Sequence, residues 1–155
     1  MANQLVGTPN MALIADLLAD PTFDFYCMVD HPDNVADLGL FFAARGLRLN
    51  VMIEYGVVGG RCGCRSEQEV RDLAKAIKAQ PALALTGIEG YEGVIHGEHA
   101  ISGIRDFAAS LVRASAMVRL VRSVISATAF ELYQSDGREQ TGFRLTRPPS
   151  GRGRN

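Results

Sequence analysis

Two glycine-rich segments hold most of the side chains able to do chemistry. The first is Glu54-Tyr-Gly-Val-Val-Gly-Gly-Arg-Cys-Gly-Cys-Arg65. Its glycines let the backbone come close to a ligand. Arg61 offers a planar, permanently charged fork that can meet an anion or a ring nitrogen. The second is Thr86-Gly-Ile-Glu-Gly-Tyr-Glu-Gly-Val-Ile-His-Gly97, where Glu89, Tyr91, Glu92 and His96 form a set able to hold and pass a proton. Both segments also have an ordinary reading, a solvated surface arginine and a structural glycine-rich turn. The first is not a Walker phosphate loop, because no G-K-[ST] follows. Nor do its glycines give the dinucleotide pattern G-x-G-x-x-G with an acid further on.

The three cysteines are Cys27, Cys62 and Cys64. An odd count without a secretory signal argues against a disulfide framework. Two sulfurs in C-x-C do not fill a tetrahedral zinc shell, and His31, His96 and His99 could complete one only by folding. Ordinary thiols and no metal are therefore expected. The formal net charge is -1, so no global field recruits nucleic acid or an anionic membrane. No stretch approaches the ~20 apolar residues of a membrane span. The first residues lack the basic-then-apolar order of a secretory signal. A cytoplasmic protein with neither nucleic-acid nor membrane partner is expected.

Alternating elements must position these segments. Residues 2–6 are a short apolar piece ending at Gly7. Thr8 as cap and Pro9 at the first position open a helix with apolar Met11, Ile14, Leu17 and Leu18. Residues 23–29 are rich in strand formers. His31-Pro32-Asp33 opens a second helix, with Val35, Leu38, Phe41 and Phe42 on one face and Gly46 at its end. Residues 47–55 make the next strand. Ser66 with Glu69 reads as a capping box before a helix burying Val70, Leu73 and Ile77. Residues 83–88 make another strand. A long helix over about residues 98–122 carries Ile101, Ile104, Phe107, Leu111 and Val118.

This alternation implies a parallel sheet. The reading is α/β: a partial parallel (β/α) TIM-type barrel of about four βα units. A complete eight-unit barrel typically needs about 250 residues. Residues 1–123 form the barrel portion. Residues 124–155 are read as an irregular strand and a disordered basic tail, since residues 137–155 hold five arginines against Glu139.

Taken in order, four pieces resemble one family: Ala-Asn-Gln-Leu-Val-Gly, Phe-Asp-Phe-Tyr-Cys-Met-Val-Asp, Ile-Glu-Tyr-Gly-Val-Val-Gly-Gly-Arg-Cys-Gly-Cys-Arg and Gly-Ile-Glu-Gly-Tyr-Glu-Gly. They look like consecutive strand ends of the D-threonine aldolase / D-serine dehydratase-like proteins, fold-type III pyridoxal-phosphate enzymes with the alanine-racemase N-terminal-type barrel. The resemblance spans about residues 2–115. It implies pyridoxal phosphate as cofactor, a D-hydroxyamino acid as substrate, and Arg61 and Tyr91 lining the cofactor ring. Asn3, Gln4 and Glu54 would line the pocket at best.

The chain departs from that pattern at one decisive point. The family's cofactor is held as a Schiff base by a lysine on the first barrel strand, upstream of the region matched. This chain has only Lys75 and Lys78, both in the helix after Ser66. The helices of a barrel lie outside it, away from the strand ends. No catalytic residue is therefore assigned, and the chain reads as an internal fragment, inactive alone. A partial barrel would also expose sheet edges through which it could self-associate. The competing readings are a non-catalytic cofactor-binding or interaction module, and an unrelated βα protein whose glycine loop binds an anion.

Overall fold

The computed structural model describes residues 3–123, with side chains as far as Val121, and the backbone of residues 130–134 and 141–145. Nine elements follow one another. They are α1 (Thr8–Leu17), β1 (Tyr26–Val29), α2 (Pro32–Ala43), β2 (Leu49–Tyr55), α3 (Glu67–Lys78), β3 (Leu83–Gly90), α4 (Ala100–Ser123), β4 (Phe130–Gln134) and β5 (Thr141–Leu145).

Strands β1, β2 and β3 are parallel neighbours. Residues 2–6 contribute a bridge, Gln4 to Met28, rather than a full strand. The expected run of four βα steps is thus present, the first in reduced form. The sheet is open, in the order β1-β2-β3-β5-β4. It does not close into a barrel among the described residues. β5 runs antiparallel to β3, and β4 antiparallel to β5. Residues 141–145, expected in the disordered tail, are therefore a strand. Alternating Thr141, Phe143 and Leu145 carry a strand period that the surrounding arginines obscured. The other tail residues, 135–140 and 146–155, lie outside the described residues.

The strands show why the core sits on one face. In β2, Leu49, Val51, Ile53 and Tyr55 are buried, while Asn50, Met52 and Glu54 are half-buried. In β1, Cys27 and Val29 are buried, with Tyr26 and Met28 half-buried. Period-2 alternation sends these two sets to opposite faces. The buried set packs with Val35, Leu38 and Phe42 of α2, with Val70, Leu73 and Ile77 of α3, and with Phe107 and Leu111 of α4. The helices touch in chain order, α1 to α2, α2 to α3 and α3 to α4. They form one layer, and among the described residues no helix lies over the half-buried face.

The local signals hold with small shifts. His31 caps α2, its Nδ1 accepting from the Asp33 N–H at 3.3 Å. Gly46, at φ 64°, ends that turn as expected. Thr8 is not the cap of α1. It is already helical, and Gly7 occupies the cap position at φ 81° with no side-chain bond. Ser66 Oγ accepts from the Glu69 N–H at 3.2 Å. Glu69 returns its carboxylate to the N–H of Arg65, not of Ser66, so the capping box is displaced by one residue. Ser66→Ala should cost about 1 kcal/mol of stability, measured by urea titration. Ile101 is 72% exposed and leaves the expected apolar stripe. The buried seam of α4 begins only at Phe107.

Candidate functional site at the strand ends

The parallel register brings three acids into one row. Val29 pairs with Ile53, Ile53 with Ile88 and Glu54 with Glu89. Asp30, one residue beyond Val29, therefore stands beside Glu54, and Glu54 beside Glu89. All three lie at the carboxyl edge of the sheet, where β/α proteins assemble their sites.

The loop after β2 folds over this row and is built around Arg65. That guanidinium donates to the carbonyls of Cys62, Gly63 and Gly60, the last two at 2.7 and 2.8 Å. The loop base is a short ladder, Cys64 N–H to Glu54 O at 2.8 Å and Gly56 N–H to Cys64 O at 2.9 Å. Two glycines are obligatory here. A Cβ on Gly56 would lie 2.0 Å from the backbone oxygen of Cys62. Gly63 has φ 95°, and a Cβ there would lie 2.5 Å from Gly56 N.

Side chains from the row and the loop interlock. Gln4 Nε2 donates to Glu54 Oε2 at 2.7 Å, and the Cys62 thiol donates to Glu54 Oε1 at 2.9 Å. The Gly63 N–H donates to Asp30 Oδ2 at 2.8 Å. Burial, then the bond to Glu54, raises the Cys62 thiol above its ordinary value. Cys64 is pushed up to about 12, mainly by burial. Neither sulfur is a ready thiolate in this state.

The acidic row is costly in charge. Burial, then the charges of Glu54 and Glu92, raise Glu89 to about 7. Glu92 is 6% exposed, and neither of its carboxylate oxygens has a hydrogen-bond partner. The expected proton-holding set therefore divides. Glu89 and Glu92 turn inward, whereas Tyr91, at 47% exposed, and His96 face solvent.

The two residues assigned to a cofactor ring leave the same sheet edge on neighbouring strands. Arg61 is exposed and donates through Nη2 to Asn3 Oδ1 at 2.5 Å. Tyr91 folds back over Gly93, whose Cβ would lie 2.4 Å from the phenol oxygen. Among the described residues no hydrogen bond joins Arg61 to Tyr91. Sequence reasoning missed Arg65 and Asp30 as site-building residues. Folding also sets Cys62, read from the sequence as an ordinary thiol, against the carboxylates of Glu54 and Asp30. Chain spacing carries no sign of such contacts.

The fold and this edge define a class, a β/α protein with one layer of helices on its sheet and its polar groups gathered at the ends of parallel strands. Comparison with known proteins narrows it. The chain is 36% identical over 72 residues to 3-hydroxy-D-aspartate aldolase of Paracoccus denitrificans, covering 45% of this chain and 19% of that protein. It is 25% identical over 95 residues to D-threonine aldolase of an Arthrobacter species, covering 61% of this chain and 24% of that protein. The crystal structure of D-threonine aldolase from Filomicrobium marinum superposes with a TM-score of 0.66 at 21% identity, over 77% of this chain and 33% of that one. No family model matches the sequence.

The chain is thus similar to D-threonine aldolase-like proteins, the family its motifs resemble. It spans about a fifth to a quarter of the length of these curated relatives. No helix among the described residues is long and apolar enough to cross a membrane.

Proposed function

We propose that this chain supplies part of the strand-end wall of a pyridoxal-phosphate-dependent aldolase site for D-hydroxyamino acids, and that it lacks the group that would hold the cofactor covalently. The observation that carries this reading is the loop bearing Arg61 at the carboxyl end of β2, within a chain 36% identical to a hydroxyaspartate aldolase over 72 residues. Arg61 would face the pyridine ring and Tyr91 would flank it. Bound cofactor supplies the electron sink for cleaving a bond beside the amine. Arg61, as a permanent cation, would withhold a proton from the ring nitrogen.

The residues present do not fit covalent attachment. Lys75 is exposed on α3 and ion-paired with Asp72 at 3.2 Å. Lys78 is exposed in the last turn of the same helix. That helix buries Val70, Leu73, Ala74 and Ile77 against the sheet, so its lysines point away from the strand ends.

The test is direct. Incubation with one equivalent of pyridoxal phosphate and then borohydride should leave no stoichiometric pyridoxyl adduct on either lysine, by peptide mass mapping. Fluorescence of pyridoxine phosphate should report a non-covalent complex weakened several-fold by Arg61→Ala. A full adduct at one lysine sinks the claim of missing chemistry. No fluorescence change at all sinks the wall.

A second reading rests on the face of the sheet without helices, where Tyr26, Met28, Asn50 and Met52 are only half-buried. An unshielded sheet face of this kind also suits a non-catalytic interaction module.

A further inference from the structure

We propose that Asp30, Glu54 and Cys62 form a site for a divalent metal ion of borderline softness, zinc fitting best, that clips the glycine loop to the ends of β1 and β2. One ligand atom from each residue lies within 4.8 Å of the other two. Zinc bonds to oxygen and sulfur of about 2.0–2.3 Å place the ligand atoms of one ion roughly 3–4 Å apart. The three groups thus need to close by only about 1 Å.

The donors are already oriented by outer partners. Gln4 holds Glu54 and the Gly63 N–H holds Asp30, at 2.7 and 2.8 Å. Such bonds fix ligand geometry and tune affinity. The thiol proton of Cys62 is directed at Glu54 Oε1, 2.9 Å away. An ion would take that proton's place. The S–H bond breaks, the proton leaves to water, and sulfur and carboxylate both bond to the metal.

A second observation points the same way. Glu92, two residues past the end of β3, is 6% exposed with both carboxylate oxygens unpartnered. None of the three ion pairs among the described residues engages Asp30, Glu54 or Glu92, and Arg61, whose charge is felt at Cys62 and Glu54, is hydrogen-bonded to Asn3. A buried carboxylate without a partner is costly, and a dication beside the row would offset that cost. The donor set excludes calcium and magnesium, which take oxygen alone. Two oxygens and one thiolate suit zinc or cobalt. Three protein ligands leave a fourth position for water or a substrate oxygen. The site does not depend on the cofactor reading.

Chelator-treated full chain, free of cofactor, is titrated with cobalt(II) alone. The expected result is one equivalent bound with a near-ultraviolet sulfur-to-cobalt charge-transfer band that zinc displaces. Cys62→Ser should abolish the band. Asp30→Asn and Glu54→Gln should weaken zinc binding by about tenfold or more in competition with a chromophoric chelator. Alkylation of Cys62 in the unaltered protein should slow when zinc is added, which needs no variant to fold. The proposal is overturned by an unaltered chain that gives no band, by a band that survives Cys62→Ser, or by Cys62 alkylation that zinc leaves unchanged.

Discussion

Gly63→Ala should destabilise the chain by about 3 kcal/mol and dismantle the loop after β2. Two costs add. A side chain at φ 95° is strained by roughly 1–2 kcal/mol. The new Cβ would also sit 2.5 Å from Gly56 N and 2.8 Å from Gly56 Cα. Those atoms are backbone in the loop ladder and cannot rotate away, and overpacking of that kind costs roughly 1–3 kcal/mol. Relief requires Gly63 to move, which releases its N–H from Asp30 and its carbonyl from Arg65. A urea titration reads the loss of stability. Faster alkylation of Cys62 reads the opened loop. Gly59→Ala is the comparison, since it also has positive φ, 78°, but a Cβ there meets nothing within 4 Å. Its cost should be the conformational part alone. Equal costs for the two variants would remove the clash from the account.

The second large effect is a stability that falls as the solution becomes alkaline. Glu89 has an ordinary value of 4.5 and sits at about 7 in the folded chain, raised by burial and then by Glu54 and Glu92. The folded state thus binds a proton that the unfolded state has released between these values. The stabilisation is fully present below about 4.5 and is lost as pH rises through about 7. The difference is worth at most about 3 kcal/mol, less whatever water reaches the half-buried carboxyl. Chelator-treated protein should therefore be markedly more stable to urea at pH 5.5 than at pH 8. Glu89→Gln, which keeps the shape and removes the charge, should flatten that difference and raise stability at pH 8. If the slope survives in the variant, Glu89 is not the group responsible.

Both effects arise at a place the linear chain only half reveals. The βα order was legible because the signals are local. Val, Ile and aromatic runs specify β1 and β2, His31 and Ser66 open helices, and Gly46 ends one. The Gly56–Arg65 loop reads as a candidate site segment from its glycines and arginines alone. Its hub is not legible there. Arg61 and Arg65 look alike in the chain, yet Arg65 holds three carbonyls while Arg61 reaches outward to Asn3. Ile101 fits the helical period of α4 as well as Phe107 does. Only the tertiary packing decides that Phe107 is covered and Ile101 is not.

What the sequence by itself determined is the alternation of strands and helices, the placing of Glu54, Arg61, Glu89 and Tyr91 at strand ends, and the absence of any lysine outside α3. Only the tertiary structure decided that Asp30, Glu54 and Cys62 meet, that Glu92 is buried without a partner, and that β5 lies antiparallel on β3. The physical reason is range. Capping, turn chemistry and hydrophobic period act over a few residues along the chain. The register that sets Glu54 beside Glu89 joins positions 35 residues apart and is chosen by the packing of whole strands against a shared helical layer.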